Sequence, residues 1–105
     1  MNTFDRGRVR ILVYSDKVEG TWYGSALEFN LTVDGDDKNT VLLELDRAMK
    51  DYLRSAHELT AVELLNQEPD PELLALWSAH LDNKPQPVES PYTAHFAGSE
   101  SLAYA

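Results

Sequence analysis

The sequence predicts an α+β domain: a three-stranded antiparallel sheet with one long helix packed across it, one or two C-terminal helices, and an extended tail. Three observations predict it. Apolar residues alternate with period two in the segments between residues 8 and 33. They recur at helical spacing over residues 38–57. From Lys84 the chain turns polar and carries Pro85, Pro87 and Pro91. The 105-residue length suits one domain, with an expected division into a folded unit over 1–83 and an extended or disordered tail over 84–105.

The first strand is "RVRILVY", residues 8–14. Val9, Ile11 and Val13 fall on one side, and Arg8, Arg10, Leu12 and Tyr14 on the other. Asp16 and Gly20 in "SDKVEG" are turn formers. "TWYGSALEFNLTV", residues 21–33, places Tyr23, Leu27, Phe29, Leu31 and Val33 on one parity and Glu28, Asn30 and Thr32 on a face expected to be solvated. It reads as two strands, or one interrupted near Gly24 and Ser25. The short links make an antiparallel meander the simplest topology.

"VDGDDKNTVLLEL", residues 33–45, gathers three aspartates around one glycine. A calcium loop starting at Asp34 would need glycine at its sixth position and glutamate at its twelfth; Asn39 and Leu45 stand there. A phosphate loop would need more glycines and less negative charge. The expectation is a turn at Gly35 and a helix capped by Asp36 or Asp37. Val41, Leu42, Leu45, Ala48, Met49, Tyr52, Leu53 and Ala56 then form one apolar stripe, and Asp46 with Lys50 and Arg47 with Asp51 make i, i+4 pairs on the other face. Residues 58–69 fit either a continued helix or a short second one. "DPELLALWSAHL", residues 70–81, carries its own start signals: Asp70 to cap, Pro71 at the first position and Glu72 at the positive dipole end.

There are 18 acidic and 9 basic residues, net −9. Residues 57–105 hold eight acids against Lys84 alone, so that half lacks the cationic footprint nucleic-acid binding requires. Arg6, Arg8 and Arg10 are few and strand-spaced, as on a solvated strand face. Long-range steering favours a basic protein partner. No cysteine is present, and no apolar stretch approaches the ~20 residues a membrane span requires. The N-terminal residues "MNTFDRGRVR" have no apolar signal core; the expected location is the cytoplasm.

No catalytic or metal residues are expected, and no cofactor. His57, His80 and His95 have no i, i+3 or i+4 partner among themselves, and no G-x-S-x-G elbow frames a serine. Trp22, Tyr23 and Trp77 are the candidate protein-interaction residues, with the sheet core as the competing role for the first two. Leu64, Leu65, Leu74 and Trp77 exceed what one face of a small sheet can bury, which predicts a homodimer with Trp77 or Trp22 near its interface.

"VRILVY", a turn, "WYGSALEFNLTVDGD" and the helix "TVLLELDRAMKDYL" resemble the HicB-like antitoxin domain, over about residues 8–56. Trp22, Tyr23, Leu27, Gly35 and Asp36 carry the resemblance, with Leu45 and Ala48 in the helix. It implies a reduced RNase H-like sheet crossed by a helix, and a domain that masks a small basic toxin, an mRNA-cleaving ribonuclease. DNA-binding segments of the kind many members add at the C-terminus have no counterpart here. Nor is nuclease activity implied, because the first strand, read as Arg8 to Tyr14, holds no carboxylate. The alternative is an orphan oligomeric domain with another role, such as binding a small ligand between sheet and helix.

Overall fold

The computed structural model describes residues 8–85 and 90–101. Strand β1 (Arg8–Asp16) is followed by β2 (Trp22–Ala26), a 3-10 turn (Leu27–Phe29) and β3 (Leu31–Gly35). Helix α1 (Lys38–Glu58), a second 3-10 turn (Val62–Leu65), helix α2 (Pro71–Leu81) and strand β4 (Tyr92–Ser101) complete the chain. The sheet is antiparallel throughout, in the order β3-β2-β1-β4. It therefore has four strands, not three. The fourth comes from the segment expected to be an extended tail, so residues 92–101 belong to the domain; residues 86–89 and 102–105 of that segment lie outside the described residues.

Both faces of the sheet are used, and the alternation along β1 explains how. Val9 and Ile11 join Ala26, Phe29, Leu45 and Met49 in the core beneath α1. Leu12 and Tyr14 join Leu27, Leu76 and Ala94 on the opposite face, with Leu73, Leu74 and Trp77 of α2 packed against them. One helix lies on each face. The leucines expected to be in surplus are accommodated in this way: Leu65 is buried and Leu64 half-buried on the α1 side, and Leu74 and Trp77 pack on the α2 side. Full burial of one such side chain contributes roughly 1.5–3 kcal/mol.

Both helix starts follow from local chemistry. The Asp37 carboxylate accepts the Thr40 N–H at 2.8 Å and caps α1. Asp70 accepts from Glu72 and Leu73 and caps α2, with Pro71 in its first turn. On the outer face of α1, Lys50 pairs with Asp46 as expected. Arg47 and Asp51 do not meet; Arg47 turns to Glu44 and Asp51 to Arg54.

Two glycines act by leaving room. A side chain at Gly24 would sit 2.6 Å from Val41 Cγ1, and one at Gly35 would sit 3.0 Å from Val41 Cγ2. Val41 is wholly buried at this contact, so the absent side chains let the start of α1 press onto β2 and β3. Gly35 is thus a strand residue under the helix rather than a turn, and Gly24 lies inside an unbroken β2. The interruption comes later, in the 3-10 turn at Leu27–Phe29, closed by Asn30 in the left-handed region at φ 52°.

That turn also reverses the expectation for Glu28 and Arg10. Both were expected on solvated faces, yet Glu28 is 0% exposed and Arg10 9%. The turn breaks the period of two and rotates Glu28 inward, where it accepts the Arg10 backbone N–H at 2.6 Å and pairs with the Arg10 guanidinium. Gln67 fastens the same turn to α1: its N–H donates to the Glu28 carbonyl and its amide to the Tyr52 hydroxyl.

Candidate functional site

Trp22, Tyr23 and Trp77 occupy three different settings. Trp22 and Tyr23 are neighbours in β2, so they point to opposite faces of the sheet. On the α1 side, half-buried Trp22 stacks on His95 with ring centroids 4.2 Å apart, and His95 Nε2 shares a 2.7 Å hydrogen bond with Ser15 Oγ. Burial, followed by the positive charges of His80 and Lys38, holds the His95 pKa below its ordinary value. Trp77 packs inward: its indole N–H donates to the Gly98 carbonyl at 2.8 Å, and the Arg10 guanidinium lies over its ring at 5.2 Å. Trp77 thus ties α2 to the sheet of its own chain.

Tyr23 falls in a cluster. On the α2 side it stacks on Tyr14 at 5.4 Å, while Tyr92 from β4 meets Tyr14 edge-on at 4.8 Å and Tyr23 at 6.0 Å. Three adjacent strands each supply one ring, because Tyr14 in β1 opposes Tyr23 in β2 and Asp16 opposes Tyr92 in β4. Tyr14 is buried, and its hydroxyl begins a short relay: Tyr14 to Ser25 at 2.9 Å, then Ser25 to Thr32 at 2.8 Å. Tyr23 and Tyr92 remain half-buried.

Three carboxylates lie within electrostatic reach of the Tyr92 hydroxyl. The Tyr92 hydroxyl is pushed up from its ordinary pKa by burial first, and then by the negative charges of Glu72, Tyr23 when ionised, Asp16 and Asp70. Burial likewise raises Tyr14, against the lowering effect of its hydrogen bonds. Both phenols are therefore neutral near pH 7, and their rings remain intact as π surfaces. Asp16 is fixed by the turn after β1, where it accepts the N–H groups of Val18 and Glu19, which lower its pKa. Asp70 is fixed by its capping bonds. A group of aromatic faces beside fixed negative charges attracts a cation, with the rings and carboxylates acting in the same direction.

Sequence patterning identified Tyr23 but missed Tyr14, Tyr92 and the acids Asp16, Asp70 and Glu72. The signal for Tyr14 was present in its shared parity with Leu12; Tyr92 had none, because its strand partner is remote in sequence. Beside the cluster runs a shallow cleft of about 170 Å³, lined by Ser25, Asn30, Thr32, Asp70 and Leu73 among others. Among the described residues no group of three or more histidines or acids could hold a metal ion, and no helix is long and apolar enough to cross a membrane. No family model, curated protein or solved structure matches the chain.

Proposed function

We propose that this chain is a protein-binding domain of the HicB-like kind, acting as an antitoxin that masks a small basic ribonuclease, and that it takes cationic side chains of that partner at the tyrosine cluster. The observation that carries the reading is the grouping of Tyr14, Tyr23 and Tyr92 with Asp16, Asp70 and Glu72 on one face of an acidic protein. Such a face offers an Arg or Lys both ring quadrupoles and carboxylates. The order of elements in the first half supports the same reading. The protein acts as a homodimer in this account, without nucleic acid or cofactor, and performs no catalysis itself.

A small-molecule role has less support. The cleft beside the cluster is well below the ~300 Å³ at which ligand pockets begin.

The test is co-expression with the product of a short neighbouring open reading frame of high pI. The expected result is a stable complex in which RNA cleavage by the basic protein is suppressed. Binding should weaken as salt rises and fall at least tenfold in a Glu72→Lys/Asp70→Asn variant. A neighbourhood with no such basic product would overturn the antitoxin role. A complex insensitive to both salt and these substitutions would overturn the site.

A further inference from the structure

Strand β3 is the unbroken edge of the sheet. The other edge, β4, is interrupted by a bulge at His95, where the register passes from Phe96 to Ala94, and bulges blunt an edge. Strand β3 pairs with β2 over five consecutive positions without a shift. In an antiparallel sheet a residue's N–H and C=O point to one side, and those of its neighbour to the other. The N–H groups of Arg10 and Asp16 point to the β2 side, where they meet Glu28 and Thr21. Leu12 and Tyr14 therefore address β2, at Ser25 and Tyr23. Gly24 and Ala26 then address β3, at Val33 and Leu31. It follows that Thr32 and Asp34 turn their backbone groups outward. Among the described residues no strand lies along this side.

The side chains along this edge divide by face. Leu31 and Val33 are half-buried against the α1 core. Thr32 and Asp34 are exposed on the α2 side, where Thr32 ends the relay from Tyr14 through Ser25. Asp34 is the register partner of Tyr23, so its side chain neighbours the tyrosine cluster. The cleft beside Thr32 runs to Asp70 and Leu73 at the start of α2, and at about 170 Å³ it admits a side chain rather than a whole ligand. Residues 31–37 include Asp34, Asp36 and Asp37 and no Lys or Arg.

We infer that β3 takes an extended segment of a basic protein as a fifth strand, antiparallel like every other pair in the sheet, with residues in the order basic, apolar, basic. Main-chain bonds to Thr32 and Asp34 hold such a strand, and its alternate side chains supply the specificity. The residue opposite Asp34 is Lys or Arg; its charge meets the carboxylate and its stem extends toward the Tyr23 ring. The residue opposite Val33 is apolar and extends the α1 side of the sheet. The residue opposite Thr32 is long and cationic, and enters the cleft toward Asp70. Charge selects this occupant. A second copy would set Asp34, Asp36 and Asp37 against the same three acids in a molecule of net −9, whereas those acids attract a basic strand. This docking mode rests on the basic-partner reading above, and adds the backbone through which the partner's cations reach the tyrosine cluster.

The probe is a heptapeptide with neutral ends that alternates Arg and Val, titrated into the full chain and followed by NMR. Bound peptide should slow amide hydrogen exchange at Thr32 and Asp34 by about tenfold or more, with little change at Val33, whose N–H already faces β2. Gathering the same Arg and Val residues into two separate runs should weaken binding by about tenfold or more, as should N-methylating the Arg amides that face β3, or Asp34→Lys in the protein. Binding should also weaken as salt rises. A peptide that binds equally well with its residues in runs, or without slowing Thr32 and Asp34, is held by net charge alone and would overturn the proposal, as would no binding at millimolar peptide. The synthetic probe needs no neighbouring gene product, so its outcome stands apart from the antitoxin test. Conversely, a captured basic protein that leaves Thr32 and Asp34 exchanging as before would overturn β3 as the dock and leave the antitoxin reading intact.

Discussion

Arg10 and Glu28, 18 positions apart, form an ion pair inside the layer between the sheet and α2, with the Glu28 side chain wholly out of solvent. The same carboxylate accepts the Arg10 backbone N–H, and the guanidinium extends over Trp77. One buried charge thus connects β1, the 3-10 turn and α2. Removing one partner alone leaves the other charge buried, so Glu28→Ala should cost about 3–5 kcal/mol. Arg10→Met combined with Glu28→Gln keeps an acceptor for the backbone amide and buries no charge. It should be more stable than Arg10→Met or Glu28→Gln alone. Urea midpoints for the single and double variants, read as a cycle, check this.

Gly24 sets how closely α1 approaches the sheet. Gly24→Ala places a methyl group 2.6 Å from Val41 Cγ1, and overpacking of this kind costs about 1–3 kcal/mol. Adding Val41→Ala should restore part of the loss, because it removes the atom that is struck. Thermal unfolding of the single and double variants gives the comparison.

The His95 pKa is lowered in the folded protein, so the unfolded chain binds more protons as pH falls below the ordinary value of 6.5. Stability should therefore rise with pH between the folded His95 pKa and about 6.5, and be lost on acidification through that window. Burial, His80 and Lys38 are the sources of the shift. His95→Gln should flatten this part of a pH–stability curve.

Ending the chain after Lys84 deletes β4 and uncovers Leu12 and Tyr14, now 0% and 4% exposed. The shortened protein should lose its cooperative unfolding transition and bind a hydrophobic dye. A cooperative transition retained at the full-length midpoint would mean that β4 is dispensable to the core.

The helices were legible because their signals are local. The stripe from Val41 to Ala56 and the caps at Asp37 and Asp70 lie within a turn or two of what they specify, and α1 and α2 begin where those residues stand. What was missed depends on distance or on broken period. "YTAHFAGSES" is rich in small polar residues, and only β1 makes it a strand. Glu28 shares parity with Asn30 and Thr32, but the 3-10 turn cancels that parity. The tyrosine site needed three strands side by side, one of them the strand not foreseen, so Tyr23 alone could be marked.

Strand β1 has β2 on one side and β4 on the other, and the Arg8 side chain bonds Ser99, 91 positions away. On a ribosome adding ~5–20 residues each second, roughly 5–20 s separate the two. Through that interval the nascent β1 carries an open flank with Leu12 and Tyr14 beside it, a surface that holding chaperones recognise. The central strand of the sheet is thus synthesised first and finished last. A message cut short near its 3′ end would yield a chain arrested in that unfinished state, open to degradation.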